Sequence, residues 1–326
     1  MKTRDTQASR AWRTRPVPGA QYQQVLRTPA HRWWKPLLSI FMVCLGIFVV
    51  LLLSMPVIAL VAWAAGTPDP WATASSWLEE DSITAMGFLV LDIWLASLAV
   101  VALVAVRVGH WMPARWMHSV AGRVRWAWLG RCLLVLVPVW ILYVGISWWI
   151  DGADPGTRAA DWYWFALLAL FVTPLQAAGE EYLFRGWLLT SLGSWFSNRW
   201  LALIIPALIS TALFAAAHGS ADPWILLDLG AMATACVILI WRTGGLEAAV
   251  ALHVANNVVI GMLGALTGAT ADSLIDTDST GDPLSAGVSV FMSALAVILV
   301  LHQARRAGIS CVVGAPATDT DSATTV

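Results

Sequence analysis

The sequence predicts an all-α, polytopic bundle of transmembrane helices. Three observations carry that reading: the chain is 59% hydrophobic and only 12% charged, its apolar runs repeatedly reach the ~20 residues that cross a bilayer, and its charges segregate by loop. Pro, Gly and charge punctuation divide the runs into eight expected spans, at about 36–65, 84–106, 127–150, 162–185 with a helical continuation, 200–218, 223–241, 245–267 and 286–303. Five parts follow: a basic disordered tail over 1–35, three helices over 36–150, a core over 160–267, a last helix over 286–303 and a second disordered tail over 308–326.

Charge tests the count independently of hydropathy, because Lys and Arg concentrate in short cytoplasmic segments. With the N-terminus inside, the inner segments collect every one of the 19 basic residues except Arg158, counting Arg185, which the fourth span itself carries. The outer loops hold the acids: Asp69, Glu79, Glu80 and Asp81, then Asp151, Asp154 and Asp161, then Asp222, then Asp272, Asp276, Asp278 and Asp282. An odd number of spans would scramble this pattern. Eight spans in the cell membrane, with both termini cytoplasmic, is the expected topology.

A net charge of −1 therefore conceals a dipolar arrangement that reports orientation in a bilayer and gives no support to nucleic-acid binding. The first 35 residues mix Arg, Gln, Pro and Thr without an apolar period, which predicts a disordered tail, at most drawn to anionic lipid. That stretch is too polar for a cleaved leader, so the first span is expected to act as an uncleaved anchor. Cys44, Cys132, Cys236 and Cys311 are scattered and form no metal-binding pattern. Pairs such as Trp33-Trp34 and Trp148-Trp149 fall where spans meet headgroups, as an aromatic belt does.

Ionisable groups inside spans are expensive and mark function by default. Gly179-Glu180-Glu181-Tyr182-Leu183-Phe184-Arg185 places two carboxylates and a guanidinium in one span. At about 100° per residue, Glu181 and Arg185 share a helix face and can pair, whereas Glu180 diverges from Arg185 by roughly 140°. Arg185 is therefore expected to neutralise Glu181 and leave Glu180 without a cation, the condition that suits a general base in a low-dielectric site. Asp92 and Asp228 lie in other spans without an assigned role, and Glu247 suits the N-terminus of its helix.

Histidine narrows the search further, since only His218 and His253 fall inside spans. Glu180 and His218 lie equally far along the chain from Arg199 in the turn between spans four and five, so an ideal hairpin sets them at similar depth. Phe214 precedes His218 by one turn and can pack beside it. His253 and Asn257 share a face of span seven and offer two hydrogen-bond donors to a developing oxyanion, while Asn256 points towards a neighbouring helix.

Glu180-Glu181-Tyr182-Leu183-Phe184-Arg185, then Phe214-Ala215-Ala216-Ala217-His218, then His253-Val254-Ala255-Asn256-Asn257 resemble, in order, the three motifs of the CAAX prenyl protease and bacteriocin-processing family of intramembrane endopeptidases. The resemblance covers about 160–265. It implies that Glu180 with His218 activates a water, that His253 and Asn257 stabilise the oxyanion, and that Glu181 and Arg185 support them. It leaves two versions open: a metal-free glutamate mechanism needing no cofactor, which is preferred because no His-Glu-x-x-His run is present, and a zinc site built from Glu180, His218 and His253. The implied substrate is a membrane-embedded or lipidated polypeptide, reached through a polar cavity among spans four, five and seven. A proton-coupled transporter and a catalytically silent scaffold would also bury such groups, although no paired halves typical of transporters are visible.

Overall fold

The computed structural model describes residues 14–78, 84–150, 158, 160–270 and 275–314. The outer-loop acids Glu79, Glu80, Asp81, Asp151, Asp154 and Asp272, and the tails over 1–13 and 315–326, lie outside them. The described residues form an all-α bundle with no strand among them. Seven helices are long and apolar enough to cross a membrane: α1 (Lys35–Ala64), α3 (Ala85–Gly109), α4 (Trp126–Ile150), α8 (Arg199–Ala216), α9 (Pro223–Thr243), α10 (Glu247–Thr267) and α11 (Pro283–Arg306). The short α2 (Pro70–Ser76) follows α1.

The remaining expected span is a broken one. It comprises α5 (Trp162–Phe171), α6 (Thr173–Glu181), a π-helical segment over Tyr182–Leu188 and α7 (Leu189–Gly193), with a 41° bend at Val172. Pro174 supplies the reason, because it lacks an N–H and its ring collides with the preceding turn. Counted as one crossing, this unit makes up to eight spans.

Helix ends follow the local chemistry. Asn198, Asp222 and Asp282 each cap a helix by accepting from two backbone N–H groups of its first turn, and Pro223 and Pro283 occupy first positions that need no N–H. Gly244 and Gly268, with φ of 68° and 80°, end α9 and α10 in the left-handed conformation that only glycine adopts freely. Large apolar side chains such as Phe41, Phe48, Leu142 and Phe291 remain outward, as a lipid-facing surface requires.

Both tails differ from expectation within their described parts. Residues 14–34 are folded against one end of the bundle: Tyr22, Val25 and Leu26 are buried, the Tyr22 hydroxyl donates to the carbonyl of Met117, and Arg27 donates to the carbonyl of Ser194 at 2.8 Å. Residues 308–314 join them through a two-residue bridge, with Gly19 N–H to the Val313 carbonyl at 2.9 Å and Val313 N–H to the Ala20 carbonyl at 3.0 Å. The physical reason is that a few anchors and backbone pairs, rather than a hydrophobic period, immobilise these segments.

The loop between α3 and α4 completes this cap. Met112, Met117 and Val120 are buried, and Val120 N–H reaches the Gly244 carbonyl at 2.8 Å. Arg125 clasps the buried Glu247 through Nε at 2.9 Å and Nη2 at 2.6 Å, and Nη1 reaches the Thr243 carbonyl at 2.8 Å. Glu247 thus does more than favour its helix N-terminus: it ties α4 to α10. This end also carries Arg199, Arg242, Arg305 and Arg306 and is the basic end of the molecule.

Two tests follow from the packing. A Cβ on Gly179 would stand 2.1 Å from the Leu95 carbonyl oxygen and 2.8 Å from Ala96 Cα, so only glycine lets α6 approach α3 here. Gly179→Ala is expected to lower stability by about 1–3 kcal/mol, measured by equilibrium unfolding in mixed detergent. His110, just past α3, shares a hydrogen bond with Ser191 at 3.0 Å, and burial, followed by the charges of His31 and Lys35, pushes its imidazole down to about 3. The unfolded chain binds that proton near 6.5, so stability is complete above pH 6.5 and falls as pH drops towards 3, by up to about 1.4 kcal/mol per unit. Thermal unfolding across that window should show the loss, and His110→Gln should diminish it.

Candidate active site

The broken span positions the carboxylates. The Thr173 hydroxyl donates to Asp92 Oδ2 at 2.6 Å, fixing the start of α6 against α3. Beyond Glu181 the helix widens into the π segment, a form that concentrates at functional sites. A widened turn leaves carbonyls without their usual partners, and Ser210 on α8 donates to that of Phe184 at 2.8 Å. Thr190 donates to the Gly186 carbonyl at 2.5 Å. The anomaly is therefore held from outside the helix as well as within it.

Glu181 and Arg185 pair at 2.8 Å, both fully buried, as their spacing predicts. The same oxygen, Glu181 Oε1, also receives His253 Nδ1 at 3.0 Å. Arg185 is further covered by Phe214, whose ring centroid lies 4.1 Å from the guanidinium carbon. This cation–π contact compensates Nε and Nη2, which have no hydrogen-bond partner. The Phe214 ring also touches Phe184 at 5.4 Å, His218 at 4.9 Å and His253 at 5.8 Å between centroids, so one aromatic joins all three motifs.

His253 takes the place beside Glu180 that the depth argument gives to His218. Its Nε2 lies 3.3 Å from Glu180 Oε2, a close charge contact whose angle falls short of a hydrogen bond. Glu180 is 7% exposed. Among the described residues no hydrogen bond or ion pair joins His218 to Glu180. His218 lies just past the end of α8, and its Nδ1 is 2.9 Å from the Phe214 carbonyl oxygen. Because that carbonyl can only accept, Nδ1 carries a proton, and in the neutral ring Nε2 then presents a lone pair.

Asn257 does face the site from α10. Its Nδ2 donates at 3.0 Å to Oε1 of Gln176, a buried residue one turn before Glu180. Asn256 bridges to a neighbouring helix as expected, accepting from Trp140 on α4 at 3.0 Å. Sequence reading passed over Gln176, although the four-residue spacing that pairs Glu181 with Arg185 places it on the Glu180 face. Asp228 accepts from Ser289 and ties α9 to α11, within electrostatic reach of His218. Among the described residues no three His, Cys, Asp or Glu side chains form a group that could hold one ion, Glu180, His218 and His253 of the alternative zinc version included.

Residues 160–259, from α5 into α10, match the family described as Rce1-like, type II CAAX prenyl endopeptidase Rce1-like. Over this segment, about a third of its length, the chain is similar to the CAAX prenyl endopeptidases. No curated protein and no solved structure matches the chain. The match supports a CAAX-type membrane protease in broad class, and the apolar helices support a multi-pass membrane protein.

Removing Arg185 would leave the Glu181 charge buried with less compensation. Arg185→Ala is expected to destabilise the fold by about 3–5 kcal/mol. Changing Glu181→Gln and Arg185→Leu together should cost less, since no charge is stranded; unfolding of the two variants side by side checks the order.

Proposed function

We propose that the protein is an intramembrane endopeptidase that hydrolyses a peptide bond of a membrane-embedded or lipidated polypeptide without a metal ion. The observation that carries this reading is the geometry of His253, tethered through Nδ1 to Glu181 at 3.0 Å with Nε2 facing Glu180 at 3.3 Å. Two carboxylates and one guanidinium leave this buried cluster one positive charge short of neutrality. His253, set between the two carboxylates, is placed to donate to both of them.

In the proposed reaction Glu180 accepts a proton from water as the water oxygen attacks the scissile carbonyl carbon. The developing oxyanion accepts hydrogen bonds from His253 Nε2–H and from the Asn257 carboxamide, whose second N–H is not required by Gln176. Collapse breaks the C–N bond as Glu180 returns the proton to the leaving amine. His218, with its Nε2 lone pair one ring away across Phe214, assists by accepting from the same water. Glu181 and Arg185 hold His253 in its orientation without touching the substrate.

The family description supports a prenylated C-terminal peptide as the first substrate to try. The basic end is proposed to face the cytoplasm, in keeping with the positive-inside rule, and substrate would reach the site from that side or laterally from lipid. Purified protein carrying Glu180→Gln should keep its fold and lose cleavage of quenched farnesylated peptides by at least about 100-fold. Retained cleavage would sink the mechanism. Wild-type activity that disappears on chelation and returns with zinc would reject the metal-free version alone.

A further inference from the structure

Trp140 and Gln176 have no part in that mechanism, yet they end one continuous hydrogen-bond chain. Trp140, 2% exposed on α4, donates through its indole Nε1 to Asn256 Oδ1 at 3.0 Å. An indole N–H donates and cannot accept, so this bond decides which end of the Asn256 carboxamide faces α4. Asn256 Nδ2 is thereby turned to Asn257, whose Oδ1 accepts at 3.1 Å. Asn257 must then present its NH2 to α6, where Gln176 Oε1 accepts at 3.0 Å. A flip at any carboxamide would set donor against donor or acceptor against acceptor, so the indole fixes the direction of the whole chain.

The far end of the chain is open. Gln176 is 6% exposed and its described side-chain hydrogen bond uses only Oε1; Nε2 is not among the fully buried unpartnered atoms and so borders open space. It lies four residues before Glu180, on the same helix face. An amide donor at the edge of open space beside Glu180 is placed to meet an acceptor, and the carbonyl groups of a bound peptide are acceptors.

We propose that Trp140, acting through Asn256 and Asn257, orients Gln176 so that its NH2 donates to a backbone carbonyl of the peptide substrate beside Glu180. Gln176 is then a substrate-binding residue and Trp140 a positioning residue. The substrate half rests on the protease reading; the direction of the chain does not.

The sequence contains only three asparagines, Asn198, Asn256 and Asn257, so protein labelled with 15N on asparagine side chains gives three NH2 signals. Trp140→Phe is expected to shift those of Asn256 and Asn257 and leave Asn198 in place. Asn256→Asp, which still accepts from the indole but cannot donate onward, is expected to shift Asn257 with the ring intact. A Trp140→Phe shift confined to Asn256, or an unmoved Asn257 in Asn256→Asp, overturns the relay whether or not the protein cleaves anything.

Cleavage of a quenched library of farnesylated peptides tests the other half. Gln176→Met and Trp140→Phe should each lower kcat/KM by about tenfold, the scale of one hydrogen bond, and the double variant should be no worse than Gln176→Met. Fully additive losses, or an unchanged rate in folded Gln176→Met, overturn the role of Gln176. A wild-type protein that cuts nothing while the asparagine signals respond as expected overturns the protease reading and the donor role with it, and leaves the relay standing.

Discussion

One carboxylate oxygen organises the centre of this molecule. Glu181 Oε1 receives Arg185 at 2.8 Å and His253 at 3.0 Å, so it joins the π-helical segment of the broken span to α10 within the apolar bundle. Neither donor has an alternative partner of opposite charge within the helix that carries it. Without the carboxylate, Arg185 would be a lone buried cation and His253 would lose the bond that sets its tautomer. The ring of Phe214, laid on Arg185 and against both histidines, excludes water from this junction and so raises the strength of every charge contact in it.

Much of the fold was legible because the bilayer imposes a length and a polarity on every crossing. The expected spans lie within a few residues of the observed helices, and the break between α5 and α6 falls beside Pro174. Illegible were the features that depend on a few distant partners. Residues 14–34 look like a polar tail because Tyr22, Val25 and Leu26 form no amphipathic period. They are fixed by partners near residues 117, 194 and 313, far away in sequence. The π segment escaped notice for a related reason, since Ser210 on another helix helps satisfy its freed carbonyl.

The candidate site divides in the same way. Pairs within one helix were readable from spacing: Glu181 with Arg185, and Phe214 with His218. Pairs between helices were not. The depth argument that matched Glu180 to His218 assumed a uniform 1.5 Å rise along both arms of a hairpin. A widened π turn lies between Glu180 and that hairpin's turn, and His218 lies past the end of its helix. Similar depth does not by itself bring two side chains together, and His253, from a helix outside that hairpin, stands at Glu180 at 3.3 Å.

The exchange of histidines changes what each can contribute. A histidine bonded to Glu181 through Nδ1 and facing Glu180 through Nε2 stands between two acceptors, so in the proposed reaction it is suited to donate a hydrogen bond rather than to act as base. His218, with Nδ1 turned to a carbonyl and its ring only partly buried, carries no such constraint. In the proposed reaction its lone pair accepts from the water that Glu180 activates. In the proposed reaction one imidazole serves as donor and the other as acceptor, on either side of the Phe214 ring, and together they would supply the two opposite polarities that attack on a carbonyl and stabilisation of its oxyanion require at once.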